Sequence, residues 1–361
     1  MGGRSFLNFS SNDYLGLATH PALKEAATRA TKKFGAGAGA SRLICGSLAP
    51  HRELEEALAD FKGTEASLSF SSGYAAALGA ITALIGRDDV VILDKLVHAS
   101  IVDAARLSGA TLRVFLHNDM GDLEKKLLWA RRRVSVKAPR RILIVTESVF
   151  SMDGDLAPLR DIADLKEAHG AWLMVDEAHA TGLFGERRRG LAEEFGVAGR
   201  VEVQMGTLGK ACGAAGGYIC GERLLVDLLV NRARSFIFST APVPAAAAAA
   251  TAGIRLIQSD EGAVLRRQLW TVVERLKKDL IAAAWPLPAV RSAILPLLIG
   301  KEEKAAALAA ALRAHGVFVP AIRYPTVARG KARLRLTATA AHTVGDVETL
   351  VSSLSVARTA G

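Results

Sequence analysis

Lys210 has the surroundings that most invite chemistry. It sits in GTLGKACG, residues 206–213, where Gly206, Gly209, Ala211 and Gly213 leave room for a small molecule to approach the amine. A lysine that loses part of its hydration has a lowered pKa and becomes a competent nucleophile or base. Upstream, Asp176 ends the apolar run AWLMV and opens a cluster with Glu177 and His179. In open α/β sheets ligands bind beyond the carboxyl ends of the strands, so charged residues there are placed to meet one. The same residues serve equally as a structural ion pair or a cap, and a bare D-E-x-H also fits a helicase or a metal site. A helicase needs a phosphate loop, and Gly209–Lys210 does not make one: Gln204 stands where its first glycine belongs, and Ala211 where Ser or Thr must hold magnesium. One histidine is a thin ligand set, so no metal is expected. The run GAGAGA at 35–40 follows no strand and lacks G-x-G-x-x-G spacing, so it reads as a flexible loop.

Two further features change the balance. SSGY at 71–74 opens a predicted helix, whose first N–H groups and dipole favour an anion. His98, in LVHAS, follows a predicted strand; alone it reads as a helix cap or a surface histidine. Pyridoxal 5′-phosphate (PLP) needs a lysine to join its aldehyde, a carboxylate to keep its pyridine nitrogen protonated, and a cup for its phosphate. Lys210, Asp176 and the SSGY turn match those needs, with His98 as a ring to stack on the cofactor.

These residues need a sheet to position them. From Ala66 to Cys220 short apolar runs alternate with helical periodicity, the pattern of βα units around a mostly parallel sheet. Strands are expected at 66–70, 90–94, 111–116, 142–148, 171–176, 201–206 and 216–220, with helices at 72–85, 99–108, 119–130 and 158–169. Beyond Gly221 long helical stretches follow at 222–235, 244–258 and 261–284. WPLP at 285–288 ends the last of these, and strands are expected near 294–299 and 333–337. The domains expected are an N-terminal segment, 1–35, packing on the others, a large domain, 36–259, and a small C-terminal domain, 260–361.

Composition narrows the function classes. Among 361 residues half are hydrophobic and 23% charged, which excludes disorder and low-complexity architecture. Cys45, Cys212 and Cys220 form no C-x-x-C pair, so a reduced, cytoplasmic setting is expected. The first residues lack a basic stretch followed by an apolar one, and no run reaches a membrane span, so no membrane association is expected. The net charge of +10 invites anionic partners. A nucleic-acid-binding protein is the reading from a different class, but no zinc-finger, RRM or basic-helix pattern appears. RRRVSVKAPRR at 131–141 reads as a solvated, charged connection.

NFSSNDYLGL (8–17), LICGS (43–47), SSGY, HAS (98–100), ESVFSMDGDLAPL (147–159), VDEAHATGLFG (175–185), GTLGKACG and ARLRLT (332–337) together resemble the α-oxoamine synthases. These are fold-type I PLP enzymes, and the resemblance runs from Asn8 to the C-terminus. It implies a large, mostly parallel seven-stranded sheet domain with a smaller C-terminal α+β domain, and a homodimer with shared sites. The implied activity is decarboxylative condensation of an amino acid with an acyl-CoA. The likeness is strongest to members that join L-alanine to pimeloyl-CoA; members using glycine and acetyl-CoA are the alternative. Carried over residue by residue, Lys210 bears the cofactor, Asp176 partners the pyridine nitrogen, and His98 stacks on the ring. His179 and Ser151 contact the region of the phenolic oxygen. Gly73, Tyr74 and Thr207 match phosphate-side positions, with Thr240 contributed by the neighbouring subunit. Arg335 matches the arginine that holds the amino-acid carboxylate, Thr326 a substrate-side position, and Asn12 a motif bordering the site. Members usually carry a helical segment before the position of Asn8, with an arginine implicated in acyl binding; Arg4 is not assigned that role.

Overall fold

The computed structural model describes residues 3–132 and 141–359, so most of the basic run 131–141 lies outside the described residues. The chain divides into two units. The larger comprises Leu17–Val149 and Ala157–Asp260; the smaller comprises Met1–Gly16, Phe150–Leu156 and Glu261–Gly361.

The larger unit is built on seven strands: β1 (Ala66–Phe70), β2 (Val90–Asp94), β3 (Thr111–Phe115), β4 (Ile142–Glu147), β5 (Trp172–Asp176), β6 (Val203–Thr207) and β7 (Gly217–Gly221). Their order is β1-β7-β6-β5-β4-β2-β3, and β7 alone runs antiparallel to its neighbours. VVILD and ILIVTE are buried throughout, as strands covered on both faces must be. Edge strand β3, by contrast, leaves Val114 exposed. The parallel register sets Glu147 beside Asp176 and Asp176 beside Met205, so the carboxyl ends of β4, β5 and β6 are level.

The longer helices of this unit are α1 (Pro21–Phe34), α2 (Ala49–Lys62), α3 (Gly73–Leu84), α4 (Ala99–Ser108), α5 (Met120–Arg131), α6 (Leu159–Ala168), α7 (Arg223–Arg232) and α8 (Pro244–Gln258). Ala77, Ala80 and Ile81 of α3 join Phe70, Leu93, Val145 and Met205 in one buried cluster. The single helix expected over 222–235 breaks at Ala233, whose extended backbone turns the chain. Beyond the break Phe236 enters the buried cluster and the Ser235 hydroxyl donates to the Ala75 carbonyl.

In the smaller unit β8 (Ile294–Gly300) and β9 (Ala321–Ile322) flank β10 (Ala332–Thr337) in an antiparallel sheet. It also holds α9 (Asp260–Ala282), α10 (Glu302–Ala314) and α11 (Val344–Thr359).

Two of the expected divisions differ from this arrangement. Residues 1–35 are not one segment: Leu7–Asn8 pairs with Val317–Phe318 in the smaller unit, whereas α1 packs on α8 in the larger. Nor is 36–259 continuous, because Phe150–Leu156 belongs with the C-terminal residues. Gly154, at φ +72°, lies so close to Ser292 and Ile294 that no Cβ fits between them, and Arg333 pairs with Asp153. Those contacts draw the segment out of the large domain. Among the described residues no helix is long and apolar enough to cross a membrane.

Candidate functional site

The loop after β6 is tied to the start of β7. Leu208 N–H donates to Gly216 O, Ala214 N–H to Leu208 O and Gly213 N–H to Lys210 O, each at 2.9 Å. Thr207 Oγ1 donates to Gly216 O and accepts from Gly209 N–H. Small residues are needed here for two different reasons. Gly213 has φ +65° and backs onto Leu17, while α8 passes so close behind the loop that a Cβ on Gly253 would overlap the Cys212 carbonyl. A fixed loop of this kind presents Lys210 in one place.

Lys210 Nζ lies 2.9 Å from His179 Nε2. His179 follows β5 by three residues and is almost fully buried. Asp176, the last residue of β5, is 5% exposed, and its Oδ1 accepts from Ala178 N–H at 2.9 Å. Burial pushes the Asp176 carboxyl above the usual carboxylate range, opposed by the Lys210 charge, the Ala178 N–H and His98. His98 is pushed down from the ordinary histidine value, first by burial and further by Lys210, against the pull of Asp176 and Asp103. Lys210, Asp176, His179 and His98 therefore form one electrostatic cluster.

His98 is also a helix cap: its Nδ1 accepts from Ser100 N–H and lies 2.8 Å from Ser100 Oγ at the start of α4. Capping uses one ring edge and fixes the orientation of the imidazole plane, so it is compatible with a stacking role. The neighbouring acids divide. Glu177 is a structural cap, with Oε2 accepting from Leu191 N–H and Ser148 Oγ–H and Oε1 from Ala192 N–H. Ser148 also ties β4 to the Asp176 carbonyl through its own N–H.

Near this cluster, Ser72 caps α3 by accepting from Ala75 N–H. Gly217 leaves no room for a Cβ beneath the Ser72 carbonyl, which lets the SSGY turn settle onto β7. A Cβ built on Gly73 would stand 3.6 Å from Thr207, so the two expected phosphate-side positions adjoin. The Tyr74 hydroxyl donates to Asp103. Thr240 is exposed and bridges to Ser41.

Four expected residues lie in the smaller unit. Arg335 is nearly buried on β10, with Nε donating to Ser151 O, Nη1 to Thr337 Oγ1 and both Nη groups to Asn12 Oδ1 at 3.1 Å. Ser151 thus offers Arg335 its carbonyl. Thr326 lies on an exposed turn, its N–H bonded to Arg323 O. Thr337 and Ser148 were not singled out from sequence. Alternation along ARLRLT, which sets 335 and 337 on one face, is the signal for Thr337; for Ser148 there is none.

The donor set suits PLP. An amine sits in a small-residue loop, and an almost buried carboxylate has one backbone donor and a raised pKa, a combination relieved by a protonated ring nitrogen. The start of α3 lies beside Thr207, where a helix's first N–H groups favour an anion. Among the described residues no group of three or more His, Cys, Asp or Glu is placed to hold a metal.

Residues 4–354 match the family model described as aminotransferase class I and II. The 8-amino-7-oxononanoate synthase of Anaeromyxobacter dehalogenans is 49% identical over 355 residues, which is 98% of this chain and 87% of that protein. Among solved structures, the serine palmitoyltransferase of S. paucimobilis with bound PLP-myriocin superposes with TM-score 0.93 at 33% identity, covering 98% of this chain and 87% of that one. The 8-amino-7-oxononanoate synthase of Francisella tularensis gives TM-score 0.81 at 26% identity, covering 99% and 98%.

Proposed function

The chain belongs to the class I and II aminotransferase family and within it to the 8-amino-7-oxononanoate synthases, and from that premise we propose that it condenses L-alanine with pimeloyl-CoA, releasing CO2 and CoA. The product is 8-amino-7-oxononanoate, for biotin synthesis. The observation that carries this reading is the meeting of Lys210 with His179 and the buried Asp176 beyond the ends of β5 and β6. The choice of substrates rests on the relatives.

PLP supplies an aldehyde that takes up amines and a ring that accepts the electron pair left when a Cα–H or Cα–carboxylate bond breaks. The protein's residues do the rest. Lys210 Nζ would hold the cofactor covalently, and its amine, when free, would take the proton from the alanine Cα and later return it. His179, at 2.9 Å, accepts a hydrogen bond from the lysine and aims it. Asp176 keeps the ring nitrogen protonated, and its burial makes that pairing strong. His98 would lie against the cofactor ring. N–H groups of Gly73 and Tyr74, with Thr207, receive the phosphate. Arg335, already oriented by Ser151, Asn12 and Thr337, receives the substrate carboxylate. Ser151 and Thr326 stand as further cofactor-side and substrate-side positions.

We infer that two copies pair and that Thr240 serves the partner's site. Ile44 and Phe238, 79% and 70% exposed, lie on the two segments joined by the Ser41–Thr240 bridge, an apolar ridge of the kind a second copy covers. A cytoplasmic setting is supported by Cys45, Cys212 and Cys220 standing as thiols.

The test is product identification by mass spectrometry with purified, PLP-loaded protein. L-alanine with pimeloyl-CoA should give 8-amino-7-oxononanoate and free CoA. Turnover only with glycine and acetyl-CoA would move the assignment to that branch of the family, and no oxoamine from either pair would overturn the reading.

A further inference from the structure

The smaller unit contains a cavity of about 520 Å³, within the usual range for small-ligand sites. One wall is a face of α10: Lys304, Ala307, Leu308 and Ala311 follow helical spacing and come to one side. Leu298 of β8 forms part of a second wall and remains 47% exposed, an apolar group left in water. Trp285, 7% exposed, also lines the cavity, with its indole N–H buried in the protein and not open to it. The two alanines matter because a longer apolar side chain at either position would fill the groove.

The charge at this cavity has one sign. Lys304 and Arg358 line it, and no acidic side chain does. Arg358 is held in place: its guanidinium carbon stands 5.0 Å from the centre of the Trp285 ring, and Nη1 donates to the Ala284 carbonyl. Ordering a cation beforehand removes part of the entropy cost of capturing an anion. Apolar walls and two cations together specify a ligand with an apolar body and an anionic oxygen group.

We propose that this cavity binds a medium-chain alkyl carboxylate, its chain along Leu298 and Leu308 and its carboxylate at Lys304 and Arg358. All of these residues belong to the smaller unit, and none is among those given a part in the condensation, so the proposal stands apart from the reaction assigned above.

The test is isothermal titration of the PLP-loaded protein with octanoate, octylamine and octanol. Octanoate should bind at one site per chain, octylamine should not bind, and octanol should bind at least about tenfold more weakly than octanoate. Lys304→Glu should weaken octanoate about tenfold, and Ala307→Leu, on the exposed side of α10, should abolish binding by filling the groove. If Ala307→Leu melts early, Lys304→Glu still decides. Absence of octanoate binding, equal binding of octanol, or unchanged affinity in Lys304→Glu would overturn the proposal. Sedimentation of wild type and Ala307→Leu covers the other occupant: a change in oligomeric state would make the groove a contact between copies and overturn the ligand assignment.

Discussion

Asp176 and Glu177 should fail in opposite ways when each is neutralised. Glu177 is fully buried and accepts from Leu191 N–H at 2.9 Å, Ala192 N–H at 2.8 Å and Ser148 Oγ–H at 3.2 Å. Glu177→Gln retains one oxygen but puts an amide donor where the other stood, so at least one backbone N–H loses its acceptor. A hydrogen bond to a charged group contributes about 1.5–3 kcal/mol and an unmet buried donor costs about 1–3 kcal/mol, so the variant should lose about 3–4 kcal/mol. At about 2 °C per kcal/mol for a chain of this size, its melting temperature should fall by about 6–8 °C. Asp176→Asn keeps an oxygen for Ala178 N–H and removes a buried charge whose pKa is already raised. Its cofactor-free form should therefore melt at or above the wild-type temperature. An opposite charge at hydrogen-bonding range is worth about 4 kcal/mol at an effective dielectric of 20, so turnover by the loaded Asp176→Asn protein should fall by about three powers of ten. Differential scanning fluorimetry of both cofactor-free variants, with turnover of the loaded forms, reads the contrast. Equal melting losses, or near-normal turnover of Asp176→Asn, would refute the division of roles.

Three more outcomes follow from groups the structure places. His51 is fully buried, accepts from Leu48 N–H at Nδ1 and reaches the Pro242 carbonyl through Nε2; burial, above all, holds its pKa below the ordinary value of 6.5. The unfolded chain then takes up the proton first, so this contribution to stability is complete above pH 6.5 and is lost as pH falls from there through the folded-state value; melting curves from pH 8 to 5 should show that slope in wild type and a shallower one in His51→Gln. Burial pushes the thiols of Cys212 and Cys220 up to about 12, so a thiol reagent at pH 8 should leave both unlabelled in the folded chain and label all three cysteines after denaturation. Arg335→Lys cannot keep the contacts to Ser151, Asn12 and Thr337 together, and steady-state kinetics should show KM for the amino acid raised about ten- to a hundredfold with KM for the acyl-CoA little changed.

The parallel sheet was legible because strands covered on both faces are written as unbroken apolar runs, VVILD and ILIVTE among them. The sequence pattern also placed α4 and α8 at their observed limits. Helix α1 escaped notice because few of its residues face the core, only Leu23 and Ala30 being buried; α2 buries Leu54, Leu58 and Phe61 at helical spacing, a signal the sequence did carry. The grouping of Phe150–Leu156 with the C-terminal residues rests on a glycine contact and an ion pair, neither of which has a local signature. Lys210 and Asp176 stood out because one follows and the other ends a strand that can be read. The environment of Arg335 did not, since its partners Ser151 and Asn12 lie 184 and 323 residues away in the chain. Only the folded backbone brings them together. The DEAH cluster shows a different limit: composition cannot tell which of two adjacent acids serves chemistry, whereas burial and hydrogen-bond count separate them.

Lys210 is the amine on which the whole chemistry turns. Borohydride reduction of the PLP-loaded protein, followed by proteolysis and mass spectrometry, fixes the cofactor to whichever lysine carries it. The added mass should appear on the peptide containing Lys210, and Lys210→Ala should take up none. A label on another lysine, or an unchanged visible absorbance in Lys210→Ala, would contradict it.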